Sequence, residues 1–87
     1  MQINLTSQIW KEGKMYVSYS PELDISSCGR TPEEAKKNLK EAIQAFLEEV
    51  KRMGTLKQIL KESGFVLKKR QWQAPQFLGW ERVPITI

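Results

Sequence analysis

Two carboxylates in a turn, Glu22 and Asp24 of "PELD", are the acidic residues whose spacing could do chemistry. Side chains two residues apart in a loop could both reach one metal ion. Two carboxylates are too few for a metal-dependent nuclease, which gathers several acidic groups from different elements. The same motif is typical of a turn in which Asp24 bonds the neighbouring backbone. We therefore predict no metal site, and a metal-dependent RNase H-like nuclease using Glu22 and Asp24 is kept as an alternative function.

Residue counts disfavour nucleophilic catalysis and zinc binding. The chain has no histidine, so Cys28 and the serines lack the usual general base. One cysteine cannot build a structural zinc site, and a free cysteine is commonly a small packed side chain. We therefore predict no catalytic residue, no metal and no cofactor, and hence that the protein is not an enzyme.

One basic and aromatic cluster, "LKKRQW", could contact nucleic acid. In a strand, Lys68, Arg70 and Trp72 would point to the same side, where phosphates are neutralised while a base stacks. The net charge of +4 is mild for a nucleic-acid binder. A weak, salt-sensitive RNA contact through Lys68 and Arg70 stays an alternative, and we favour a solvated strand end with Trp72 packed at a subunit contact.

Length and composition predict a single domain spanning residues 1–87. A hydrophobic fraction of 40% with 28% charged residues is ordinary globular composition, so we expect a folded chain. The lone cysteine, an amino terminus without signal-peptide character and the lack of a long apolar run predict a cytoplasmic protein that is not in a membrane. A domain this small gains stability by burying surface against another subunit, so a homo-oligomer is expected.

Alternating apolar and polar residues predict three antiparallel strands before the first helix. Residues 3–10 and Met15–Ser20 alternate on either side of "KEGK", which predicts a hairpin with Gly13 free to adopt positive φ. Met15–Ser20 places Met15, Val17 and Tyr19 on one side. After Pro21 and the "ELD" turn, Ile25–Gly29 is predicted as a third strand of modest burial.

"TPEE" predicts the start of a long helix. Thr31 can cap, Pro32 suits the first position, and Glu34 completes a capping box. We expect Phe46→Ala to damage this helix most. The stripe predicted to lie on the sheet consists of Ala35, Leu39, Ala42, Ile43, Phe46, Leu47 and Val50.

Further elements are predicted after Gly54. A short helix begins at Thr55 and ends at Gly64, a strand follows in "FVLKKRQW", and a last strand lies in "WERVPITI". Pro84 confines that last strand to an edge. The predicted fold is α+β, a two-layer arrangement in the order β-β-β-α-α-β-β with the main helix packed on one face of an antiparallel sheet.

The carboxyl-terminal quarter is unusually rich in aromatic and apolar residues. Small domains seldom bury so much without a partner, and a strand edge beside tryptophans suits β-augmentation or an isologous dimer contact. The predicted partner or oligomer interface consists of Trp72, Phe77, Trp80, Val83, Ile85 and Ile87.

The stretch "YVSYSPELDISSCGRTPEEAKKNLKEAI" followed by "FLEEV" resembles the amino-terminal domain of the HicB family of antitoxins. The likeness covers about residues 1–52. It consists of a tyrosine-containing strand closing on a Pro-Glu-Leu turn, a short serine-rich strand, Gly29 before the capped helix, and the "EEA" to "EAI" helix.

The resemblance implies a fold related to the double-stranded-RNA-binding domain and a protein that forms dimers or tetramers. It also implies neutralisation of a small partner, an mRNA-cleaving toxin of the HicA type, by covering its active surface. We predict steric masking in which Glu22 and Asp24 face the toxin's basic surface. Many members add a carboxyl-terminal DNA-binding domain. This sequence shows none, which leaves open whether it binds an operator, and whether it has a toxin partner or is a solitary, weakly RNA-binding relative.

Overall fold

A three-stranded sheet and a long helix form the main body of the chain. The computed structural model describes residues 2–87. The elements are β1 (Gln8–Glu12), β2 (Met15–Ser20), β3 (Ile25–Gly29), α1 (Pro32–Arg52), α2 (Leu56–Glu62), β4 (Val66–Lys68) and β5 (Gln71–Gln73). Strands β1, β2 and β3 form one antiparallel sheet in that order, with α1 packed against β2 and β3. The predicted α+β class and element order are confirmed.

The first hairpin starts later than predicted. β1 and β2 are joined by a two-residue turn that begins at Gly13, whose φ is +60°, the conformation that glycine adopts at little cost. The ladder ends at the pair Gln8–Tyr19. If the register continued past Gln8, Thr6 would lie opposite Pro21, which has no N–H to donate to a neighbouring strand. Residues 3–7 lie outside the sheet.

Small side chains bring α1 close to the sheet. Ser18 and Ser20 of β2 are fully buried, and the Ser18 hydroxyl donates to the Ala35 carbonyl oxygen at 2.7 Å. Gly29 of β3 also lies very close to α1, because a Cβ atom at this position would be 2.5 Å from the Ala35 nitrogen. The helix therefore lies on serines and glycine, and the apolar row of β2 points to the other face.

α1 begins as predicted and contributes most of the core. The Glu34 N–H donates to the Thr31 hydroxyl at 3.0 Å, and Pro32 occupies the first turn. Phe46 is half-buried, whereas Leu39 is 2% exposed. The largest loss from truncation is therefore expected at Leu39, in place of Phe46. The buried apolar residues of the described chain are Ala35, Leu39, Ile43, Val50, Leu60 and Phe65.

The segment "FVLKKRQW" forms a hairpin, so the prediction of one strand is wrong. β4 and β5 pair antiparallel, and the turn residues Lys69 and Arg70 have φ values of 49° and 66°. A two-residue turn with both residues at positive φ matches the right-handed twist of its strands, but normally uses Asn or Gly. Because this turn lacks both residue types, the sequence pattern did not show it. Leu67 pairs with Trp72 across the hairpin.

The predicted last strand is absent from the described structure. Residues 74–87 carry no helix or strand, and the apolar side chains of "VPITI" are exposed. A strand needs a neighbouring strand for its backbone groups, and no such neighbour is hydrogen-bonded to this segment within residues 2–87. Neither α1 nor α2 is long and apolar enough to cross a membrane.

Candidate binding surface

The face of the sheet opposite α1 is apolar and partly exposed, with Val17 and Tyr19 half-buried. Because Ser18 points toward α1, its strand neighbours Val17 and Tyr19 point away from the helix. The register places Trp10 and Cys28 beside Val17 on that side. Trp10 is 41% exposed, and Met15 is 39% exposed. We call this surface the open face, and it consists of Trp10, Met15, Val17, Tyr19 and Cys28.

Two carboxylates hold the aromatic side chains of the open face. The Trp10 indole N–H donates to Glu12 Oε1 at 2.8 Å, and the Tyr19 hydroxyl donates to Asp24 Oδ1 at 2.8 Å. The two rings meet edge to face with centroids 6.4 Å apart. The hydrogen bond to Asp24 raises the pKa of Tyr19 above its ordinary value, and desolvation and the Asp24 charge act in the same direction. The result is an ordered aromatic patch edged by negative charge.

The predicted acid pair is divided between two roles. Both oxygens of Glu22 accept from the Thr6 N–H at 3.0 Å, and they also accept from the Thr6 and Ser20 hydroxyls at 2.6 and 3.2 Å. Glu22 therefore ties the amino-terminal segment to the β2–β3 turn. Asp24 is exposed at φ +54° and bonds Tyr19, whereas its predicted partner was the backbone.

Glu12 is the site residue that sequence reasoning missed. It lies two residues after Trp10 in β1, so strand alternation puts both side chains on one face. The sequence would have indicated this pairing of Trp10 with Glu12 if the predicted strand had been extended to Glu12. Within residues 2–87 no group of three or more His, Cys, Asp or Glu residues is placed to hold a metal ion.

A groove runs along the free edge of β1. β1 pairs only with β2, so its outer edge has no strand beside it in the described structure. The groove has a volume of about 550 Å³ and lies between residues 6–10 and the carboxyl-terminal segment. Phe77, Trp80 and Arg82 form the wall opposite β1. We call it the edge groove.

The predicted interface residues fall into three places. Phe77 and Trp80 line the edge groove, at 49% and 76% exposure. Trp72 is half-buried in β5 and does not line that groove. The remaining residues are exposed beyond the groove and include the 75% exposed Ile85. They are Val83, Ile85 and Ile87.

A second groove lies between residues 2–7 and α1. Its volume is about 640 Å³, its floor is apolar, and lysines occupy its rim. The lining includes Leu5, Leu39, Ile43, Leu47, Lys36, Lys40 and Lys51, with Glu48 as its one acid. Its charge is opposite to that of the open face, so the two surfaces suit partners of different chemistry.

The basic cluster sits at the tip of the β4–β5 hairpin. Lys68 ends β4, and Lys69 and Arg70 form the exposed turn. Lys68, Arg70 and Trp72 therefore do not share one side of a strand, and the predicted stacking arrangement is wrong. The hairpin presents positive charge at its turn, while its aromatic residue, Trp72, pairs with Leu67.

Comparisons of the chain with protein-family models, with curated proteins and with solved structures found no match. The surfaces of the chain offer aromatic contact area, two carboxylates in fixed positions and an unpaired strand edge. Protein-binding sites commonly use such features.

Proposed function

We propose that this chain is an antitoxin-like protein-binding module of the HicB type, which masks a small basic partner on its open face. The observation that carries the proposal is the uncovered patch of Trp10 and Tyr19, each held by a carboxylate at 2.8 Å. The partner class suggested by the sequence resemblance is an mRNA-cleaving toxin of the HicA type. Neutralisation is steric, because the partner's active surface is covered by the sheet.

The chemistry of the open face favours a basic protein partner. Tryptophan and tyrosine dominate binding energy at many interfaces, often at about 2 kcal/mol or more each when truncated. The carboxylates of Glu12 and Asp24 retain free lone pairs after accepting one hydrogen bond each, so they can accept from arginine or lysine. Negative charge at the rim also steers a basic partner toward the patch.

Self-association is a second part of the proposal. The exposed apolar residues Phe77, Trp80, Val83, Ile85 and Ile87 form a surface that contact with another subunit would remove from water. A dimer or tetramer would supply that contact. The single cysteine and the resemblance to HicB antitoxins favour a cytoplasmic location for such an assembly.

Copurification tests the partner. A tagged chain is recovered from its native host, and the proteins that accompany it are identified by mass spectrometry. We expect a small basic protein, and we expect Asp24→Lys to weaken its binding at least about tenfold, since charge reversal places like charges across the contact. Glu41→Lys is the matched control, because Glu41 is exposed on α1 and makes the same charge change away from the open face.

The proposal fails if the native chain recovers no small basic protein. It also fails if Asp24→Lys and Glu41→Lys bind the partner equally well, because the open face would then not be the contact. Circular dichroism of both variants checks that the fold is retained.

The alternative functions have unequal support. Glu22 already accepts from Thr6 and Ser20, so no observation favours a nuclease that uses it with Asp24. A weak RNA contact is favoured by one observation, the exposed basic turn at Lys69 and Arg70. A salt series with labelled RNA tests it, because phosphate contacts must weaken steeply as salt rises.

A further inference from the structure

We propose that the edge groove is completed by a second copy of this chain. Residues 83–87 of each copy would pair, as a strand, with residues 6–10 of the other copy, a run that ends in the first three residues of β1. The inference rests on the self-association part of the proposed function and specifies which segment enters which site. It does not depend on a toxin, and Trp10 is the one residue of the open face that also lines the edge groove.

The groove has the form of an unfilled strand position. Residues 6–10 line it consecutively, and the last three of them are successive residues of β1, which alternate between the two faces of the sheet. An opening bordered in this way follows the strand edge and does not lie on one face of the sheet. A free edge presents unpaired N–H and C=O groups, which another strand can satisfy.

The carboxyl-terminal segment has the sequence of a strand but no partner. Val83, Ile85 and Ile87 alternate with Pro84 and Thr86, and β-branched residues are those that sheets favour. Ile85 is 75% exposed, so its side chain gains little from the fold of its own copy. Residues 83–87 match residues 6–10 in length, at about 16 Å for five extended residues.

The chain's own segment does not fill its own groove. Phe77, Trp80 and Arg82 already form the wall that faces β1, and none of residues 83–87 is among the lining. The apolar strand pattern therefore begins after the segment has passed the groove. A second copy can supply the missing strand while the first copy's segment remains as the wall.

Reciprocal exchange of residues 83–87 gives a closed dimer and not an open chain of copies. If each copy donates residues 83–87 and each accepts them at β1, the contact is isologous and gives a dimer with two equivalent joints. Pro84 lacks an N–H, so the added strand has a weakened outer edge, as native edge strands often do. The arrangement adds a fourth strand to each sheet without recruiting further chains.

Cross-linking between two populations tests the exchange. Cys28→Ser removes the natural thiol, and Ser7→Cys and Thr86→Cys are then introduced in separate chains, since both positions are exposed. A short bismaleimide reagent is added to the mixture. We expect covalent dimers linking position 7 to position 86 in at least about fivefold excess over either population alone, because the two sites meet only across copies.

The chain carrying both Ser7→Cys and Thr86→Cys distinguishes exchange from self-insertion. At low concentration, a link within one chain and no mixed dimer would overturn the proposal, because the segment would be filling its own groove. No link of either kind would also overturn it.

A matched pair of tail variants measures the affinity. By light scattering and sedimentation, we expect Ile85→Asp to weaken the dimer about 100- to 10,000-fold, because each of the two joints loses one buried isoleucine at about 10- to 100-fold. Thr86→Asp places the same charge on the opposite side of the strand and should retain the dimer. Equal behaviour of the two variants would contradict the strand model. If Asp24→Lys retains the dimer but loses the partner, then dimerisation through residues 83–87 and partner binding on the open face are independent of each other.

Discussion

At the scale of single residues, the role of a carboxylate depends on which groups donate hydrogen bonds to it. Glu22 and Asp24 are two positions apart, yet one receives a backbone N–H and two hydroxyls while the other receives the Tyr19 hydroxyl. The first is a structural tether, and the second holds the hydroxyl of Tyr19 at the border of the open face. Thr6 is remote in sequence from Glu22, so sequence spacing could not show this division.

The pairing with Asp24 predicts a shifted titration of Tyr19. A raised pKa in the folded state means that the associated stability is complete below the unfolded value of about 10 and is lost as pH rises through the folded pKa. In a Tyr16→Phe background, Tyr19 is the one tyrosine left, and its ultraviolet absorbance reports ionisation. We expect Asp24→Ala to lower the pKa of Tyr19.

Glu12→Ala is the control for that titration. It removes a carboxylate from the same face but leaves the hydrogen bond to Tyr19 intact. If Glu12→Ala and Asp24→Ala shift the titration of Tyr19 equally, the direct hydrogen bond is not the cause.

At the scale of elements, the approach of α1 to the sheet depends on residues without large side chains. Ser18 is fully buried and bonds the first turns of α1 through the Ala35 carbonyl, while Gly29 leaves room for the backbone of Ala35. Sequence alternation identified the strands but not the face that meets the helix. The helix takes the serine face because only small side chains allow so close a contact.

Gly29→Ala should separate α1 from β3. The added Cβ would lie 2.5 Å from the Ala35 nitrogen and 2.9 Å from the Glu34 carbonyl carbon, so backbone must move. We expect a loss of about 1–3 kcal/mol in the free energy of unfolding, measured by urea denaturation.

Gly13→Ala is the comparison for that variant. Gly13 has φ +60° and nothing within 4 Å of an added Cβ, so its substitution adds backbone strain without a clash. The expected cost is about 1 kcal/mol. A Gly29→Ala cost no larger than that of Gly13→Ala would refute the close-packing account.

At the scale of the whole molecule, the core is small and the uncovered apolar surface is large. Six buried apolar residues lie in α1, in α2 and at Phe65, while the tail from Phe77 onward exposes its apolar side chains. A chain of 87 residues has a limited core, so the proposed contact between copies would contribute a substantial part of its stability.

That dependence predicts a melting temperature that rises with protein concentration. Association of folded copies favours the folded state by mass action, so dilution should lower the melting temperature of the native chain. Ile85→Asp should show a lower melting temperature with little dependence on concentration. Calorimetry over a hundredfold range of concentration measures both, and a native chain that melts at one temperature throughout would argue against obligate association.

Local rules account for the parts of the fold that the sequence predicted. Period-two alternation, the Thr31 cap and the glycines that end the helices act over a few residues, and they identified β2, β3, α1 and α2. The predicted order of elements also matches, but its last two strands are the two halves of "FVLKKRQW" and not the two segments that the pattern indicated. The β4–β5 turn was missed because its residues, Lys69 and Arg70, adopt a backbone conformation that their types do not favour.

Residue types and their local spacing are enough to establish the class of fold, the start and end of the main helix, and the lack of the histidine-based chemistry that most hydrolytic sites need. The tertiary structure alone decided which face of the sheet is open, that Glu22 is a tether, and that the β1 edge has no partner. These outcomes depend on contacts between residues far apart in the chain. The spacing of residues along the chain does not show which distant residues meet. Their burial and hydrogen bonds in the folded structure show it.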